Sequence, residues 1–273
     1  MENHGVLYLC PTPIGNLEDI TLRVLKTLKE VDIIAAEDTR QTLKLLNHYD
    51  IKKPLLSYHE HNKRISGLKL IEELKKGKSI ALVTDAGTPA ISDPGEDLVK
   101  LCIEESIKIV PLPGPTAAIT ALIASGFDTS SFVFEGFLPK KNKEREERLD
   151  RISKEEKTVI LYEAPHRLKD TLQELIKYIG DRKVVIAREL TKIHEEFIRG
   201  TAEGVLEKLG DEIKGEIVIL IEGAKTAQIE ANPDELLERY LKEGMDKKEA
   251  AKRVSKELGI SKREVYKLTI GRK

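Results

Sequence analysis

Chemistry-bearing residues in this 273-residue chain gather in six short segments, each following an apolar run. The most distinctive is TDAGTPAISDPG, Thr84 to Gly95, which packs two glycines, two prolines, two threonines, a serine and two aspartates into twelve positions. Little of it can enter regular structure, so it predicts a shaped loop whose exposed N–H and C=O groups can hydrogen-bond a ligand without side-chain bulk. CPTPIGN, from Cys10, predicts a tight turn before a helix opening near Thr21; it is not GxGxxG, and a purely structural turn fits it equally well. EDTR places Glu37, Asp38 and Arg40 after another apolar run, either as cleft residues or as an ordinary helix start capped by Asp38 or Thr39. SYHEHNKR brings His59, His61, Lys63 and Arg64 together. With no third His or Cys nearby, the segment suits a polar rim for an anionic substrate better than a metal site. YEAPHR (Tyr162 to Arg167) is halted by Pro165, which predicts His166 and Arg167 facing outward at a sheet edge, and RELTKIHEE adds Arg188, Lys192 and His194.

The elements that must position these segments follow from periodicity. VLYLC, DIIAA, SIALVT and IKIVPL read as strands, and apolar residues at helical spacing fall between them at Leu22 to Leu28, Leu43 to Leu46, Leu68 to Leu74 and Leu98 to Ile103. Such alternation predicts an α/β protein with a mainly parallel sheet covered by helices. PLPGPT, Pro111 to Thr116, interrupts it and marks a domain boundary. Beyond it FVFEG, TVILYE, KVVIAR, FIRGT and EIVILIEG form a second series of strands, with helices near Lys143 to Ser153, Leu168 to Ile179 and Ala202 to Leu209. The expected organisation is an N-terminal lobe over 1–115, a second lobe over 116–224 and a helical appendage over 230–273.

The appendage predicts a helix from Pro233 to about Glu243 and another from the cap Asp246 to Leu258, closed by Gly259. A third helix is capped by Ser261 and turns Val265 and Leu268 inward, in a helix-turn-helix-like arrangement in which Ser255 occupies a position where a small apolar residue is more usual. Residues 247–273 hold ten Lys/Arg against three Glu, a net +7, so within an overall charge of −1 the preceding 246 residues sum to −8. A basic tail on an acidic body points to a polyanionic partner, although a solvated helix would carry the same charges. Residues 140–157, with eight Lys/Arg and six acids, fit a salt-bridged surface helix better than a nucleic-acid surface. Cys10 and Cys102 lack zinc-ligand spacing and suit buried thiols in a reducing compartment. The longest apolar run, Ala117 to Ala124, is too short to cross a bilayer, and Gly5 to Cys10 reads as a strand rather than a leader, so a cytoplasmic protein is expected.

Taken together, PTPIGNLEDIT, AAEDTR, SYHEHN, DAGTPAISDPG, PLPGPTA, FEGFLP, YEAPHR and ARELTKIHEE resemble, in order over about residues 5–223, the tetrapyrrole methylase superfamily, in its branch that 2′-O-methylates a cytidine of 16S ribosomal RNA. The resemblance implies a two-lobed tetrapyrrole methylase-like α/β fold and S-adenosyl-L-methionine folded between the lobes. It implies a small ribosomal subunit or its RNA as partner, a homodimer, and neither metal nor membrane. By the same analogy the donor lies against Pro13, the loop bearing Asp85, Gly87, Thr88, Ala90, Ile91 and Ser92, and Thr116 and Ala117. Tyr162, Leu190, Gly215 and Glu216 complete its site from the second lobe. PTPIGN replaces a more glycine-rich opening found in porphyrin-modifying branches, which argues against a macrocyclic substrate. A ribose hydroxyl is a poor nucleophile, so a base is wanted; Asp38, His59, His61, Glu163 and His166 are the candidates, and sequence does not rank them. Arg40, Arg167, Arg188 and Lys192, with Lys252, Lys256, Lys262, Arg263 and Lys267 of the tail, are the candidate RNA contacts.

Overall fold

A computed structural model describes residues 4–140, 142–210, 212–225, 232–258, 260, 261, 263, 265 and 267. The described residues up to Gly223 form one compact unit, and those beyond it a second.

The first sheet holds β1 (Val6–Leu9), β2 (Ile33–Ala36), β3 (Leu55–Ser57), β4 (Ile80–Val83) and β5 (Lys108–Pro111), in the order β3-β2-β4-β1-β5. Every pairing is parallel. IIAA and IALV are buried at every position, as strands covered on both faces must be. Alternate residues divide between two cores. Ile34, Ala36, Ala81 and Val83 pack with α1 (Leu22–Glu30) and α2 (Thr39–His48). Ile33, Ala35, Ile80 and Leu82 pack with α3 (Lys63–Lys75) and α4 (Glu96–Glu104). Cys10 and Cys102 are both buried in these cores, and desolvation pushes their thiols up to about 12 and about 11. β3 is not among the strands that periodicity predicts: it is three residues long, half-buried throughout, and lies at the sheet edge.

After α5 (Ala117–Ser125) the second sheet is built from β6 (Phe132–Phe137), β7 (Thr158–Glu163), β8 (Lys183–Arg188), β9 (Glu196–Thr201) and β10 (Ile217–Ile221), ordered β6-β7-β10-β8-β9. Here the expectation of a mainly parallel sheet fails. Only β6–β7 is parallel, because β8 runs into β9 through a short loop and β10 inserts antiparallel between β7 and β8. One face packs on α6 (Asn142–Lys154), α7 (Leu168–Ile179) and α8 (Ala202–Lys208); the other packs on Ala118, Ala121 and Leu122 of α5, and on Ile14 from the first lobe.

In the second unit, α9 (Pro233–Lys242) starts at the cap Asn232, and α10 (Lys247–Leu258) follows Asp246, whose carboxylate accepts from the N–H groups of Lys248 and Glu249 at 2.8 Å. Leu236, Leu237 and Tyr240 meet Ala250, Ala251, Val254, Leu258 and Val265 in a small core. The polar Ser255 is accounted for by a hydrogen bond: its hydroxyl donates to the Ile260 carbonyl at 2.7 Å. Lys252, Lys256, Arg263 and Lys267 are exposed; Gly259, Lys262 and Leu268 lie outside the described residues.

Candidate active site

The carboxyl edge of a parallel sheet is where open α/β folds bind ligands. Here the loops after β1, β2, β4 and β5 contribute Ile14, Glu37, Asp85 to Thr88, Ile91 to Asp93 and Thr116 to one cleft of about 420 Å³. The second sheet closes it with Phe137, Tyr162, Glu163, Leu190, and Gly215 to Val218. That volume suits a cofactor-sized ligand.

The loops are forced into shape. Thr12 and Gly87 exchange backbone hydrogen bonds of 2.8 and 3.0 Å, pinning the first loop to the loop after β4. Gly87 has φ +83°, and a Cβ there would come within 3.2 Å of Ile14 Cγ2. The Thr88 hydroxyl donates to the Pro115 carbonyl at 2.8 Å and lies 2.7 Å from that of Thr116. Across the cleft, Gly15 lets the first loop approach the second lobe, since a Cβ there would overlap Thr191 Oγ1 at 2.7 Å and the Leu190 carbonyl at 2.8 Å. The Asn16 N–H donates to Thr191 Oγ1 at 3.0 Å. Among the described non-glycine residues only six have positive φ, and four of them, Ala90, Ser92, Glu189 and Thr191, sit in the loops flanking this cleft. Such strain persists where surrounding contacts over-determine the backbone, commonly at ligand sites.

Of the residues expected around the donor, Asp85, Gly87, Thr88, Ile91, Ser92, Thr116, Ala117, Tyr162, Leu190, Gly215 and Glu216 line the cleft. Pro13 and Ala90 do not. Pro13 is buried and its neighbour Ile14 takes the lining position; Ala90 turns at φ 66°, with its Cβ against Gly95. Sequence reasoning missed Ile14, Asp93, Phe137 and Val218, although Asp93 lies inside the loop it singled out; Glu37 takes the cleft position that is one of the two readings of EDTR. The aromatic wall consists of Phe134 and Phe137 edge-on to Tyr162 at 5.0 and 5.7 Å, and the Tyr162 hydroxyl accepts from the Ala118 N–H at 3.2 Å.

The cleft is acidic. Glu37, Asp85, Asp93, Glu163 and Glu216 line it, and no Lys, Arg or His does among the described residues. Burial, reinforced by repulsion from Asp85 on Glu37 and from Asp38 on Asp85, raises both carboxyls above the ordinary carboxylate range. Desolvation, with Glu37, Asp85 and Glu216 adding to it, pushes Asp93 up to about 7.

The candidate bases are placed very differently. Asp38 caps α2 and is gripped by Arg40, whose Nε and Nη2 donate to its carboxylate at 3.1 and 2.8 Å; these hydrogen bonds hold it at about 2, and it does not line the cleft. Glu163 does line it, but its buried carboxylate accepts from Thr171 Oγ1 at 2.6 Å and from the Ala164 N–H at 2.9 Å. His59 and His61 form an edge-on pair at 5.9 Å, outside the lining, and His166 is exposed.

The basic candidates also differ. Arg167 does not face outward: a 3₁₀ turn at Pro165–Arg167 folds it in, so that Nη2 donates to the Leu138 carbonyl at 3.1 Å and Nε lies 3.4 Å from Glu163. Arg188 donates to Glu196 at 2.6 and 3.0 Å, and Lys192 pairs with Glu189 and Glu216 at 2.8 and 3.3 Å. Arg40 remains 88% exposed despite its pair with Asp38. In the charged 140–157 segment Arg145 is buried, donating to Glu174 and Thr171 at 2.6 and 2.7 Å, while Arg148 pairs with Glu135. No helix is long and apolar enough to cross a membrane, and no cluster of three or more His, Cys, Asp or Glu is arranged to hold a metal, among the described residues.

Comparison with known proteins gives this geometry a context. A ribosomal RNA small subunit methyltransferase I of Halalkalibacterium halodurans is 50% identical over 275 residues, covering 98% of this chain and 95% of that protein. One from Bacillus subtilis is 50% identical over 271 residues, covering 96% and 93%. The fold is shared with a uroporphyrin-III C-methyl transferase of Thermus thermophilus solved in complex with S-adenyl homocysteine, at TM-score 0.56 and 18% identity over 79% of this chain and 97% of that one. The model of the Tetrapyrrole (Corrin/Porphyrin) Methylases matches residues 6–206. A strained, acidic cleft between two α/β sheets is therefore set in a chain that belongs to the tetrapyrrole methylases, in the branch of the ribosomal RNA small subunit methyltransferases I.

Proposed function

We propose that this protein is an S-adenosylmethionine-dependent methyltransferase that 2′-O-methylates a cytidine of 16S ribosomal RNA. One observation carries the cofactor: the cleft is lined by five carboxylates and by no basic side chain among the described residues. A buried surface of that sign selects a cationic ligand. It opposes an anionic nucleotide such as a dinucleotide or triphosphate, for which helix N-termini and basic side chains are the usual partners.

The residues present fit the donor. Glu37, Asp85, Asp93 and Glu216 complement its sulfonium and ammonium charges, while Ile14, Leu190, Val218 and Tyr162 supply an apolar wall for its adenosine. When bound, the donor supplies a methyl group already activated on sulfur. What remains for the protein is alignment and exclusion of water, worth up to ~7–11 kcal/mol in the best intramolecular cases. The rigid Thr12–Gly87 and Thr88–Thr116 contacts provide the first, and the second sheet closing over the loops provides the second.

The substrate follows from the relatives, whose names give small-subunit ribosomal RNA as their target. The +7 segment 247–273, with Lys252, Lys256, Arg263 and Lys267 exposed, supports a polyanionic partner. Arg40 is the contact we assign in the body. We further infer a cytoplasmic homodimer, for which the exposed Ile119 and Ile123 of α5 offer apolar surface. Labelled donor offered in parallel to small ribosomal subunits lacking the modification and to a uroporphyrinogen tests the substrate class. Label is expected in RNA alone; label in the macrocycle alone overturns the assignment.

A further inference from the structure

Two aromatic side chains line the cleft among the described residues, Tyr162 and Phe137. Tyr162 is committed at both ends, its ring against Phe134 and its hydroxyl to the Ala118 N–H. Phe137 is 51% exposed. Its position is nevertheless built. Between β6 and β7 the register runs Phe134 opposite Ile160, then Gly136 opposite Leu161 and Phe137 opposite Tyr162, which leaves Glu135 as an extra residue. Ile160 and Tyr162 belong to the core on the cleft side of the sheet, and Leu161 to the core on the other. Strict alternation from Phe134 would place Gly136 on the cleft face and Phe137 on the far one; the register shift exchanges them, as bulges beside active sites do. Gly136 takes φ +63°, and a Cβ there would lie 3.1 Å from Ser92 Oγ, so this strand end abuts the loop after β4. The residues flanking it are fastened. Arg148 donates to the Glu135 carbonyl at 3.3 Å and to its carboxylate, while Leu138 is buried and its carbonyl accepts from Arg167 at 3.1 Å.

We propose that Phe137 is the platform on which the base of the target cytidine stacks once it is turned out of the RNA, holding the attached ribose at the cleft. The proposal rests on reading the cleft as a site of methyl transfer to RNA. The charge of the cleft selects the same occupant. Its lining holds five carboxylates and, among the described residues, no basic side chain, so a phosphodiester is repelled and only the neutral parts of a nucleotide are admitted. Bases recognised outside a duplex are held by stacking on aromatic faces, an interaction that needs no charge. The edge-on contact with Tyr162 at 5.7 Å steadies the Phe137 ring, and about half of the residue stays open to receive a base. A ring already fixed in place loses little freedom when the base arrives, which favours its use for alignment.

The test compares wild type with Phe137→Leu, Phe137→Tyr and Phe137→Trp on small ribosomal subunits that lack the modification. Leu keeps the apolar bulk and removes the aromatic face, so Phe137→Leu should lose about 5–150-fold in kcat/KM for the subunit. Phe137→Tyr and Phe137→Trp should retain most of the wild-type rate. S-adenosylmethionine affinity by calorimetry should be unchanged in all three, which also reports that they fold. Phe132→Leu, exposed at the opposite end of β6, is the control and should behave as wild type. Subunits reconstituted with RNA that carries an abasic ribose at the target position examine the other side of the contact. Wild type should methylate them more slowly by a similar factor, and Phe137→Leu no more slowly than wild type does, because both changes delete one interaction. With an active wild type, any of four results overturns the proposal alone: an unchanged kcat/KM in Phe137→Leu, a loss traced to donor affinity, failure of both aromatic variants to retain the rate, or additive losses on the abasic subunit. A folded wild type that methylates no RNA overturns the reading of the site and the proposal with it.

Discussion

Gly87→Val separates backbone strain from occupancy of the cleft. Gly87 has φ +83°, so any L residue placed there incurs roughly 1–2 kcal/mol of left-handed strain, and a β-branched one the upper end. Its Cβ would also press on Ile14 Cγ2 at 3.2 Å, and the paired Thr12–Gly87 bonds prevent the segment from moving away. A loss of about 2–3 kcal/mol of stability follows, or several degrees in Tm for a unit of this size. Gly126 is the control: its φ is +82°, but a Cβ there meets nothing within 4 Å. Gly126→Val should therefore cost similar strain without touching the cleft. Calorimetry with S-adenosylmethionine should show at least a tenfold loss of affinity, about 1.4 kcal/mol, in Gly87→Val and wild-type affinity in Gly126→Val. A folded Gly87→Val protein that binds the donor normally refutes the placement of the donor against this loop.

Arg145→Met removes the partner of Glu174 and Thr171 in a buried network that ends on Glu163. Because Glu174 is partly exposed, the substitution should cost about 1.5–3 kcal/mol in denaturant unfolding, and a change below about 0.5 kcal/mol would show that the network does not hold the second lobe together. Arg40→Ala should leave donor affinity unchanged while weakening RNA binding and methyl transfer; reduced donor affinity with normal RNA binding would reverse its assignment. Removing residues 230–273 should spare donor binding and flatten the salt dependence of RNA binding, by roughly 0.7 in the log–log slope for each single-strand phosphate that the tail neutralises. An identical slope before and after truncation contradicts a role for the +7 tail in holding RNA.

What is legible in the sequence follows physical lines. Strands such as IIAA and IALV, and helices with one apolar face, declare themselves by periodicity, and the Thr84–Gly95 loop by its composition. Strand direction does not: KVVIAR and IVILI are apolar runs that would read the same in a parallel sheet, yet β8 and β10 pair antiparallel. LLS escapes prediction because three half-buried residues carry no period. Arg167 turns inward against expectation because the residues that draw it there, Leu138 and Glu163, lie just beyond β6 and on β7. Asp93 is silent in the sequence for a related reason: its character comes from Glu37, Asp85 and Glu216, which only the folded chain brings to one cleft.

The central claim is that methyl transfer to a ribose hydroxyl depends on this particular cleft. Small subunits lacking the modification are incubated with methyl-labelled S-adenosylmethionine and either wild-type or Gly87→Val protein, and their RNA is digested to nucleosides for mass spectrometry. Labelled 2′-O-methylcytidine from the wild type, and labelling slower by about tenfold or more with the folded variant at sub-saturating donor, is the predicted result. A label found on the cytosine ring, or equal labelling by both proteins, contradicts it.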